Sequence, residues 1–209
     1  RASSIERSSN PVYRTFRLAM SVTGEYSAFH GGTTPLVLAA VNNTMTRCNG
    51  IYEKDLAIHL NLINNTTILY LNAGTDPYGP TDADYNSELA NTLNTVVGDA
   101  NYDIGHLMSA IGNNGNAGCI GCVCSDVITD VDGDGFAPDI YKGSGFTTST
   151  APIGDNFDID FVVHEMGHQL GCNHTFSHSG EDNSVNVEPG SGSTIMGYAG
   201  ITTLDVQPH

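Results

Sequence analysis

Residues 13–23 (YRTFRLAMSVT) alternate in part between apolar and polar side chains and are rich in β-formers, so the pattern predicts a strand. Gly31-Gly32 then breaks the chain. Thr33 or Thr34 can cap a helix with Pro35 in its first turn, and Leu36, Val37, Ala40, Val41 and Met45 follow at helical spacing. Residues 56–63 (LAIHLNLI) alternate cleanly and predict a second strand, and 67–71 a shorter one. Pro, Gly and Asp mark 76–84 as a loop. Leu89, Leu93, Val96 and Val97 predict a helix over 88–97, and further strands are expected at 104–108 and 119–127. A Gly- and Asp-rich stretch covers 130–154, and a helix is expected over 157–170, stopped by Gly171.

This alternation of strands and helices predicts an α/β fold around a twisted, mixed but mostly parallel sheet. The expected layout is one domain over 1–209. Residues 1–171 or so form an ordered upper part ending in the 157–170 helix, and 172–209 a small irregular lower part.

The chemistry concentrates in one segment, His164-Glu165-Met166-Gly167-His168-Gln169-Leu170-Gly171-Cys172-Asn173-His174. Residues four apart share a helix face, so His164 and His168 can aim imidazole nitrogens at one ion. Glu165 lies beside that face, within reach of a water at the metal. Gly171 can take positive φ and turn the chain sharply, which lets His174 reach the same ion from off the helix. Three neutral imidazoles and one water make an open catalytic zinc site. Zinc makes hydroxide available near neutral pH and polarises a carbonyl, and Glu165 can act as general base and then general acid. These are the parts of a peptide-bond hydrolase without a protein nucleophile. The other histidines carry no such pattern: His59 and His106 lie in predicted strands, His30, His178 and His209 in loop-like context, and all five are read as structural or solvated.

HEMGHQLGCNH resembles the extended metzincin signature, and Ser193-Thr194-Ile195-Met196-Gly197-Tyr198 resembles the Met-turn of that clan. Within it the chain is most similar to the bacterial secreted reprolysin-like, adamalysin-related proteases, through YRTFRLAMSVTGEYSAFHGG, NYDIGHLM, the helix motif and EPGSGSTIMGYAG. The resemblance implies zinc ligation by His164, His168 and His174, Glu165 as general base, and Met196 as a platform under the metal. By position, it places a substrate-binding edge strand near 117–123, with Ala117, Gly118, Cys119 and Ile120 touching substrate. Adamalysins usually follow the third His with Asp; Thr175-Phe176 here resembles the pappalysins instead, the second family considered. In astacins, serralysins and pappalysins a Tyr placed like Tyr198 reaches the zinc, which implies an oxyanion donor here. Its alternative is an aromatic that packs the lower part.

Asp130, Asp132, Asp134 and Asp139 stand close together, with Gly135 after the third, and predict a Ca²⁺ loop. Tyr141 occupies the twelfth position in place of the bidentate Glu, so this is not a full EF-hand, and a solvated acidic turn is the alternative. The five cysteines include Cys119-x-x-Cys122-x-Cys124, with Cys48 and Cys172 apart. No second Cys-x-x-Cys completes a four-ligand zinc site, so disulfides in an oxidising compartment are expected, with one Cys left over.

The formal charge of −16, from 23 Asp+Glu against 7 Lys+Arg, excludes a nucleic-acid partner on electrostatic grounds. No apolar run is long enough to span a membrane. The polar opening, residues 1–10, without a basic-then-apolar leader, fits a mature form. The expected protein is therefore a secreted, monomeric endopeptidase acting on polypeptides, held by a pro-segment inhibitor before maturation. Two other classes compete with it. One is a catalytically silent adhesion or binding module on the same fold, which would have no chemical need for Glu165. The other is a zinc hydrolase of small molecules, which would need a closed pocket rather than a long cleft.

Overall fold

The first strand, β1 (Arg14–Val22), is exposed at its start and buried on both faces from Leu18 onward, which is why its alternation is only partial. Leu18, Met20 and Val22 enter one core and Ala19 the other. The computed structural model describes residues 12–126, 142–178 and 184–200. Four further strands join β1: β2 (Ile58–Leu62), β3 (Ile104–Ser109), β4 (Asn113–Asn116) and β5 (Gly145–Ser149). They form one sheet in the order β2-β1-β3-β5-β4. All pairings are parallel except that of β4 with β5. The result is the expected mixed, mostly parallel sheet, with an antiparallel strand at one edge.

Helices cover both faces. After the short α1 (Gly24–Phe29), started by Thr23 accepting from the Tyr26 N–H, comes α2 (Thr34–Asp55). It runs well past Met45 and buries Val37, Val41, Met45, Cys48 and Tyr52, a single helical face, against the first core. On the other face, α3 (Tyr85–Val96) packs Tyr85, Leu89 and Leu93 against Leu107 and Phe146. No helix among the described residues is long and apolar enough to cross a membrane.

Three expectations need correction. The strand expected at 67–71 is instead a 3-10 turn, Thr66–Ile68. The Asn65 side chain accepts from both the N–H and the hydroxyl of Thr67 and curls the backbone, and only Leu69 bridges to β1. The strand expected over 119–127 is absent among the described residues, 119–126. Gly118, Gly121 and Cys124 take positive φ there, which no strand sustains. The edge strand that passes Glu165 is β4, ahead of the 117–123 segment in which it was expected, while β2 forms the opposite edge.

The 157–170 helix exists but does not begin as an α-helix. Asn156–Val163 winds as a π-helix and continues directly into α4 (His164–Gln169). Phe157, Val162, Val163 and Met166 carry this helix into the α2 core. The acidic loop with Asp130, Asp132, Asp134 and Asp139 lies outside the described residues.

Candidate active site

His164 and His168 sit one turn apart on α4, both nearly buried. The helix then stops in a Schellman motif. Gly171 takes φ +107°, its N–H donates to His168 O (2.9 Å), and the Cys172 N–H donates to Gly167 O (3.0 Å). The chain reverses there and returns His174 to the helix face. The three Nε2 atoms converge to 3.0–3.1 Å of one another.

The rest of each helical ring is already committed. His164 Nδ1 donates to Ile195 O (2.6 Å) and His168 Nδ1 to Cys172 O (2.7 Å). With Nδ1 protonated, each Nε2 is a bare acceptor. Burial, aided by the other two imidazoles, pushes the His164 pKa down to about 4, so the ring stays neutral. Neutral acceptors facing one another at hydrogen-bond distance need a cation between them. Zinc with bonds of about 2.0–2.1 Å would set tetrahedral ligands roughly 3.3 Å apart, close to what is found. The donor set therefore fits zinc.

Glu165 lies beside the triad with its carboxyl mostly buried. Burial raises its pKa to about 7, against a hydrogen bond from the Ala117 backbone that lowers it. Its side chain packs on the backbone of β4: a Cβ on Gly115 would overlap it, so that strand can pass only with glycine there. Met196 supports the helix from below. Its Sδ would lie 2.9 Å from a Cβ on Gly167, between the two helical histidines. Tyr198 stacks on Phe176 with ring centroids 4.5 Å apart and meets the His174 ring edge-on, also at 4.5 Å.

Two contiguous hollows flank Glu165. One, of about 660 Å³, lies between β4, the π-helical turn at Asn156 and Asp160, and the chain from Ser193 to Gly200. The other, of about 350 Å³, is lined by Gly115–Ile120 with Asn173, His174 and Tyr198. Together they make one open groove running along β4. The chain matches the family described as Metallo-peptidase family M12B Reprolysin-like over residues 12–206.

The chain belongs to the M12B reprolysin-like metallopeptidases. It is thus a zinc metalloendopeptidase of metzincin type. A search of the curated proteins gave no match.

The reprolysin-like chain brings His164, His168, His174, Glu165, Gly171, Met196 and Tyr198 together around one point. Ala117, Gly118, Cys119 and Ile120 line the second hollow just past the end of β4. Cys119 and Cys122 form a disulfide there. The loop they close caps the active helix, with the Gly121 N–H donating to His168 O (2.9 Å) and the Val123 N–H to Gln169 O (3.3 Å). The expectation of one leftover thiol does not hold: Cys48, Cys124 and Cys172 are all free. Cys48 is held in the α2 core, its thiol directed at Asp158 O, far in sequence from the tight group.

Three participants escaped the sequence reading. β4 (NNGN) has no apolar alternation to signal it. Gln169 is fully buried and ties α4 to β3, its Nε2 donating to Gly105 O (2.8 Å) and its Oε1 accepting from His106 Nδ1 (2.9 Å). Glu188 is the third. Only its place within EPGSGSTIMGYAG marked it.

Proposed function

We propose that this metallopeptidase is a secreted, single-domain endopeptidase that binds an extended polypeptide along β4 and cleaves it beside Glu165. The observation that carries this reading is the buried Glu165 carboxyl at the midpoint of an open groove, next to three converged imidazole nitrogens. β4 is the last strand of the sheet, so its outer edge offers backbone groups to a substrate strand. An open groove along an edge strand suits a polypeptide better than a small molecule.

Bound zinc, held by His164, His168 and His174, would supply a Lewis acid that acidifies water and polarises the scissile carbonyl. The chain's own groups do the rest. Glu165, with a pKa raised to about 7, takes a proton from the attacking water. The water oxygen bonds to the carbonyl carbon, and the Tyr198 hydroxyl donates to the resulting oxyanion. Glu165 then delivers its proton to the amide nitrogen, the C–N bond breaks, and a carboxylic acid and an amine leave. The acidic composition and the disulfide favour an exported protein. A calcium ion at Asp130, Asp132, Asp134 and Asp139 would brace the approach to the active helix, a reading supported by sequence spacing alone.

A peptide-library digest tests the reading. The wild-type protein should cut within peptides, stop on zinc chelation and recover on zinc addition. Glu165→Ala should keep its zinc and lose about 10²–10⁴-fold in turnover. Activity of Glu165→Ala within a few-fold of the parent would place the base elsewhere.

A further inference from the structure

Outside the catalytic helix and the three histidines, one acidic side chain is densely bonded. The Glu188 carboxylate accepts five hydrogen bonds. Oε1 receives the hydroxyls of Thr175 (2.5 Å) and Thr194 (2.5 Å). Oε2 receives the N–H groups of Ser193 (2.7 Å) and Thr194 (3.1 Å) and the Ser193 hydroxyl (3.3 Å). Its backbone joins the same neighbours: the Glu188 N–H donates to Thr175 O and the Ser177 N–H to Glu188 O, both at 2.9 Å.

These partners belong to the two segments that complete the metal centre. Thr175 follows His174 directly. Thr194 precedes Ile195, whose carbonyl fixes the His164 ring, and Met196, whose carbonyl accepts from the Thr175 N–H (3.2 Å). Glu188 therefore closes a circuit from the third histidine, through the Met-turn, back to the first. His164 and His168 are carried by the helix itself, which orients both rings together with their Nδ1 bonds to Ile195 O and Cys172 O. His174 comes from a segment without regular secondary structure, and a ligand on such a segment is only as well placed as its anchors. Gly192 lets the turn approach: its φ is +76°, and a Cβ there would come within 3.3 Å of the Glu188 carboxylate.

We infer that Glu188 is a positioning residue for zinc: it holds the His174 segment and the Met-turn in the geometry that makes His174 a ligand. This rests on the zinc reading of the triad. A carboxylate suits this set: the two backbone N–H groups can only donate, three hydroxyls donate to the same two oxygens, and alanine would remove the shared acceptor of all five bonds. The same bonds hold the Glu188 carboxyl well below the usual range, at about 2 despite some burial, so it stays ionised wherever the histidines are neutral.

The test measures metal binding in folded protein, apart from turnover. Wild type, Glu188→Ala, Thr175→Val and Thr175→Ser are stripped of metal, checked for fold by circular dichroism, and titrated with zinc against a chromophoric chelator. Cobalt(II) is substituted in parallel, and its visible bands report the ligand geometry. Wild type should bind one zinc tightly. Glu188→Ala should bind about 10–100-fold more weakly with altered cobalt bands. Thr175→Val should fall between, and Thr175→Ser, which keeps the hydroxyl, should match wild type. A role confined to stability would lower the melting temperature and leave the affinity and spectrum of the folded protein unchanged. That outcome in Glu188→Ala, or in Thr175→Val should the alanine variant not fold, overturns the inference. Absence of tight zinc binding in wild type would instead defeat the metal reading itself.

Discussion

A carboxyl group that takes a proton from water and returns it to an amine works best with a pKa near the working pH. Glu165 reaches about 7 because burial against β4 disfavours its charge, the Ala117 N–H only partly compensating. Tyr198 complements it. A phenol beside the triad can donate to an oxyanion without changing its own charge. Tyr198→Phe retains the stack on Phe176 and the edge contact with His174, and removes only the hydroxyl. The expected result is a loss of about 10²–10³ in kcat with zinc content and melting temperature nearly unchanged. Wild-type turnover in the variant would assign Tyr198 to packing. At this scale His164, Glu165, His168 and Gly171 were legible in sequence, because helical spacing and the positive φ of glycine are local rules. Glu188 was not. Its five donors lie on segments brought together only by the tertiary fold, and no local pattern distinguishes it from other surface acids.

Elements were legible where apolar periodicity was strong. β1, β2, α2, α3 and the catalytic helix all follow it, but β5 (GFTTS) buries polar side chains that find partners only across the sheet. Thr147 is one of them, and it belongs to the junction that docks α4. His106 on β3 is completely buried; its Nδ1 donates to Gln169 Oε1, and its Nε2 accepts from the Thr147 hydroxyl, both at 2.9 Å. Two strands and the catalytic helix thus meet at one imidazole. Burial lowers its pKa to about 4, against the hydrogen bond it donates to Gln169, which raises it. Because the folded value lies below the unfolded value of about 6.5, the unfolded chain binds the extra proton first as pH falls. The contribution is whole above about pH 6.5 and is lost progressively down to about pH 4, a change of roughly 3 kcal/mol. Denaturant melts of metal-free wild type and His106→Gln should show a wild-type advantage that is constant above pH 7 and shrinks through that window. An advantage independent of pH from 7 to 4.5 would mean that His106 is not held neutral inside the fold. The π-helical turn before α4 has no sequence counterpart that apolar spacing could detect, since the same residues fit an α-helix equally well.

For the whole molecule, the dominant long-range property is charge. The chain carries −16, and neither hollow of the groove is lined by Lys or Arg among the described residues. Asp160 lines the larger hollow, and Asp82 lies at the strand edge, where it accepts from Asn114 of β4 (2.6 Å). Bound zinc would offset two of these charges, which leaves a strongly negative field around the groove mouth. Such a field raises the local concentration of cationic peptides and repels anionic ones, by about tenfold or more in association rate at low salt. Salt removes the effect, because the Debye length falls from about 30 Å at 0.01 M to about 3 Å at 1 M. Two substrates that share a scissile sequence, one with lysine tails and one with glutamate tails, separate steering from chemistry. The kcat/KM of the lysine-tailed substrate should fall as salt is raised across this range, and that of the glutamate-tailed substrate should rise. Their kcat values should stay close, since the tails leave the reacting atoms alone. Identical salt responses would mean that the acidity is dispersed away from the groove and serves solubility rather than substrate capture.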